Sequence, residues 1–122
     1  MKKITLLLVS IFFSSCSSSK VKDIASFEFD NAWYWVIQYE KGATKQEIDE
    51  YVNTWANPNQ TSFFFVFDDT VDISFFAKEK FNLQSFRENV LLNNPKYGLY
   101  KMLPADNKIY DDGIWLIKQA SK

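Results

Sequence analysis

The stretch NAWYWVIQYEKGATKQEIDEYVNTWANPNQTSFFFVF, residues 31–67, decides the fold class. Its first ten residues are rich in aromatic and β-branched side chains and predict a strand. Gly42 breaks that run. Thr44-Lys45-Gln46-Glu47 then reads as a capping box, in which Thr44 accepts from the Glu47 backbone and the Glu47 carboxylate reaches back. Behind the box, Ile48, Tyr51, Val52, Trp55 and Ala56 recur at helical spacing and mark one apolar face. Asn57-Pro58-Asn59 ends the helix, and Ser62–Phe67 predicts a second strand. Strand, helix and strand in succession place the chain among mixed α and β folds.

Outward from this core the same reading continues. Asp68-Asp69-Thr70 is a turn, and Val71–Ala77 alternates like a third strand. A second helix is expected from Asn82 or Ser85, with Leu83, Phe86, Val90 and Leu91 on its apolar side, and Asn93-Asn94-Pro95 stops it. Lys96–Leu103 and Gly113–Lys118 read as further strands around a polar loop. The expected order is β-α-β-β-α-β with one more strand. That order suggests an α+β domain of ferredoxin-like topology, with two helices on one face of a small antiparallel sheet.

The opening of the chain has a different character. Met1-Lys2-Lys3 is basic, Ile4–Phe13 is apolar apart from Thr5 and Ser10, and small residues lead to Cys16, the single cysteine. This is the layout of a secretory signal peptide, too short for a comfortable membrane span of about 20 residues. The segment Phe13-Ser14-Ser15-Cys16 resembles the lipobox of bacterial lipoproteins, with Phe13 where that family usually carries an aliphatic residue. The resemblance implies a diacylglycerol on the Cys16 thiol, cleavage before it, and further acylation of the new amino terminus. The same resemblance implies the outer membrane, in a host that has one, because Ser17 rather than Asp follows the cysteine. Residues 1–15 are then a lipoprotein signal peptide, 16–28 a lipidated flexible tether, and 29–122 one small domain.

Composition limits the chemistry. The chain of 122 residues has a formal charge of −1, and losing Lys2 and Lys3 with the leader takes it to −3. Nucleic acid is a poor partner for such a chain, because phosphate binding needs a clustered basic surface. There is no histidine, and no thiol remains once Cys16 carries lipid. Histidine-dependent triads and cysteine-histidine pairs are therefore excluded, as are the usual ligands of zinc or copper. Three glycines, Gly42, Gly98 and Gly113, form no phosphate-cradling loop. The acids Asp68, Asp69 and Asp72, and Asp106, Asp111 and Asp112, match no calcium-loop spacing and read as turn residues. No cofactor or metal is expected.

Aromatic excess is the remaining feature. Alternation places Trp33, Trp35, Ile37 and Tyr39 on one face of the first predicted strand and Tyr34 and Val36 on the other. Ile48, Val52 and Trp55 need an apolar counterpart, which assigns Trp33 and Trp35 to the core. Tyr34, joined by Phe64 or Val66, is expected on the open face, and Tyr34 and Phe64 are the candidate binding residues. The functional expectation is a non-enzymatic, membrane-anchored envelope lipoprotein that works as a protein-interaction module or self-associates. Its rivals are a glycan-active enzyme using acid residues alone and an immunity or exclusion lipoprotein directed at a toxin, phage or plasmid partner.

Overall fold

The computed structural model describes residues 20–102 and 108–120. Among the described residues, four strands and four helices follow in the order β1 (Val21–Phe29), β2 (Ala32–Tyr39), α1 (Lys45–Trp55), β3 (Thr61–Asp68), α2 (Phe75–Lys78), α3 (Leu83–Leu92), β4 (Tyr97–Lys101) and α4 (Gly113–Ala120). The strands form one sheet in the order β1-β2-β3-β4. Its outer pairs are antiparallel, and the central β2–β3 pair is parallel, with Trp35 opposite Phe64 and Ile37 opposite Val66. The class is α+β, with a mixed open sheet.

The order is not ferredoxin-like, and the physical causes lie in three segments. The first is β1, which occupies residues expected to belong to the tether. Asp30 and Asn31 both adopt positive φ, 54° and 63°, between Phe29 and Ala32. Two such residues make the tight turn whose twist suits a hairpin. β1 therefore folds back on β2 from Val21 onward, with a bulge between Asp23 and Ala25.

The second is the segment 71–77, expected as a strand. Asp72 Oδ1 accepts from the Ser74 amide at 3.1 Å and the Ser74 hydroxyl at 2.8 Å. That local bond bends the backbone away from any ladder, and the short helix α2 follows. The third is Gly113–Lys118, also expected as a strand, which is the start of α4. A short apolar run has no period strong enough to separate strand from buried helix. Here helix wins because the N-terminus of α4 lies directly on β4. A Cβ on Gly98 would stand 2.5 Å from the Ile114 nitrogen, and one on Gly113 would stand 2.9 Å from the Gly98 oxygen. Only paired glycines let a helix end approach a strand backbone so closely.

Both faces of the sheet are covered, which corrects the expectation that helices occupy one side. α1 lies on the first face, where Ile48 and Val52 pack with Val21, Ile37, Phe64, Val66 and Leu99. Its capping box is formed: Glu47 N donates to Thr44 Oγ1 at 3.1 Å, and Thr44 N donates to Glu47 Oε1 at 2.8 Å. Helices α2, α3 and α4 supply Phe76, Phe86, Val90 and Ile117 to the second face, against Val36, Phe65 and Phe67. β3 is consequently apolar on both sides, the pattern of a strand buried within a sheet.

Candidate functional site

Strand alternation divides the candidate binding residues between the two faces. Tyr34 pairs in register with Phe63, and Trp35 with Phe64. Phe64 is fully buried under α1 beside Trp35, ring centroids 5.2 Å apart. It is a core residue, so its expected place on an open face is corrected. Tyr34 is half-buried on the opposite side, stacked on Phe63 at 5.4 Å and meeting Phe81 at 5.8 Å. Cys16 lies outside the described residues.

Around Tyr34 the structure makes a small cavity of about 100 Å³ between β2, β3, α3 and α4, lined by Phe63, Phe65, Arg87, Leu116 and Ile117. The walls are apolar. Arg87 is the charged group there, and its Nη1 donates to the Ala120 carbonyl at 3.3 Å. Burial raises the Tyr34 phenol above its ordinary value, while the nearby Arg87 charge opposes the shift and Asp30 adds to it. From this cavity a row of rings crosses the sheet: Phe63 meets Tyr100 at 5.6 Å, and Tyr100 stacks on Tyr110 at 5.0 Å. Tyr100 and Tyr110 also exchange backbone hydrogen bonds at 3.0 and 2.9 Å, which covers part of the outer edge of β4. Such a site can hold an apolar side chain. Its lining offers no paired nucleophile and base.

Asp68, Asp69, Asp72 and Asp111 are each engaged by a neighbouring group. Asp68 Oδ1 accepts from the Thr70 amide at 3.0 Å and from its hydroxyl, and Asp69 Oδ2 accepts from the Lys41 amide at 3.1 Å. Hydrogen bonds from Thr70 and Ser74 hold Asp68 and Asp72 below the usual carboxylate range. Lys45 Nζ bridges Asp49 at 3.1 Å and Asp111 at 3.4 Å. Asp106 lies outside the described residues. Among the described residues, no group of three or more acids stands where a metal ion could be held.

A second aromatic feature escaped the sequence reading. Trp55, expected on the buried face of its helix, is 54 % exposed. Tyr51 lies against it, ring centroids 6.2 Å apart. With Lys20, Val21, Glu47 and Glu50 these two rings line an open groove of about 280 Å³ along the flank of α1. The available signal was the width of the apolar stripe. Ile48 and Val52 suffice to seal this sheet, so the ring one turn beyond Tyr51 projects past it. No protein-family model, curated protein or solved structure matches the chain.

Proposed function

We propose that this chain is a lipid-anchored protein of a bacterial envelope, held on the outer membrane through Cys16, that acts without catalysis as a protein-interaction module. One observation carries the reading. The lipobox-like segment ends at Cys16, and Lys20 is already tied to the sheet by a 2.8 Å hydrogen bond from the Glu40 amide to its carbonyl. A lipid on Cys16 would therefore hold a rigid body directly at a bilayer, where only nearby partners can be reached. The turn-bound acids and the apolar lining of the Tyr34 cavity agree with a binding role, since aromatic side chains serve well as interface anchors.

Metabolic labelling with a tagged fatty acid tests the reading. The wild-type chain is expected to take up label and fractionate with membrane, whereas Cys16→Ser remains an unlabelled precursor. Label on Cys16→Ser would exclude the anchor assigned here.

A further inference from the structure

The flank of α1 carries the exposed ring of Trp55 beside the half-buried ring of Tyr51, and the path to the anchor begins beside them. Lys20 and Val21 line the same groove as Tyr51 and Trp55. Lys20 lies close enough to Glu47 for its charge to help lower that carboxyl, behind the larger effect of the Thr44 backbone bond. From Cys16 to Lys20 is four residue steps, which span at most ~14 Å even when fully extended. A lipid-bearing Cys16 therefore cannot carry the bilayer surface far from this flank. Tryptophan and tyrosine favour the membrane–water boundary, where an apolar ring and a polar edge are both satisfied.

We infer that the Tyr51–Trp55 flank of α1 is the bilayer-facing surface of the lipid-anchored domain, with the Trp55 ring seated at the headgroup level. This rests on the lipid-anchor reading above and adds an orientation to it. The flank carries one cation, Lys20, beside two carboxylates, Glu47 and Glu50. Glu47 is in addition held by the capping box, and Glu50 Oε2 accepts from Gln46 Nε2 at 3.4 Å. The flank gathers no excess of positive charge, so the rings rather than anionic lipid supply the attraction. The orientation leaves the Tyr34 cavity, on the opposite face of the sheet, turned toward the aqueous side and its partners.

The molecule contains its own control. Trp115 on α4 is 56 % exposed, nearly the same as Trp55, but it sits on the other side of the sheet. The mature lipidated protein is placed in vesicles of phosphatidylethanolamine and phosphatidylglycerol whose acyl chains are brominated near the headgroup. Bromine quenches tryptophan fluorescence on contact, and mass analysis of the same sample reports lipid on Cys16. Trp55→Phe is expected to abolish most of the quenching, and Trp115→Phe to leave it unchanged. Both sites are exposed, so neither change threatens the fold. Quenching that survives Trp55→Phe, or that falls equally in both variants, with lipid present on Cys16, overturns the orientation and leaves the anchor standing. Absence of lipid on Cys16 overturns both.

Discussion

Tyr51 shows how one residue position joins packing to charge. Its ring closes the side of the first core cluster. Burial, and then the charge of Asp23, push its phenol up to about 12 from an ordinary 10.0. Asp23 is itself raised by burial. A raised phenol pKa means that the fold favours the neutral ring. The resulting stabilisation is fully present below pH 10 and is lost as the pH climbs through 12. The site is only half-buried, so solvent screening keeps the gain small. Titration followed by tyrosinate absorbance is expected to show several late-ionising tyrosines in the folded chain, of which Tyr51→Phe removes the one near pH 12, with wild-type stability falling between pH 10 and 12. An ionisation near pH 12 that persists in Tyr51→Phe would assign the effect elsewhere.

Among the elements, β4 and α4 depend on each other most sharply. An outward shift of α4 would pull Ile117 out of the second core cluster. Its first turn rests on the backbone at Gly98. A methyl group at Gly98 therefore meets backbone and the root of Ile114, neither of which can swing away. Gly98→Ala is expected to destabilise the domain by ~1–3 kcal/mol, the cost of overpacking a filled site. Gly42→Ala is a useful contrast, since its Cβ would meet only the far end of Lys20, 4.0 Å away, and its penalty arises from a φ of 97°. Chemical denaturation of Gly98→Ala decides the matter. An unchanged midpoint would mean that α4 does not bear on β4 in solution.

At the scale of the whole molecule, the sheet already includes Val21–Phe29, most of which the sequence reading placed in a flexible segment. β1 contributes Val21 to one core cluster, while Ile24, Ala25 and Phe27 pack on the other. Phe27 stacks on Phe81 at 4.9 Å and meets Phe86 at 6.0 Å, so both sides of the sheet rely on this strand. Removing it would expose β2 along its length and open both clusters. A chain lacking residues 20–31 is therefore expected to show no cooperative thermal transition. A sharp melt in that truncated form would restore the segment to the tether.

The helix α1, its capping box, β2 and β3 were legible because their signals are local: a hydrogen-bonding side chain at a fixed offset, a helical apolar spacing, a run of aromatic and β-branched residues. The split of β2 into a Trp35 side and a Tyr34 side followed from strand alternation alone. The chemistry excluded by the lack of histidine needed no coordinates either. What only the tertiary structure decided depends on contacts between distant segments. VKDIASFEF becomes a strand because the Asp30–Asn31 turn lays it on β2. GIWLI becomes a helix because Gly98, some fifteen residues earlier, leaves space for it. Which of Phe63 and Phe64 joins Tyr34 depends on the parallel register of β2 and β3, which no periodicity within either strand encodes. The exposure of Trp55 has the same origin, since the width of the sheet beneath a helix determines how much of its apolar stripe is covered.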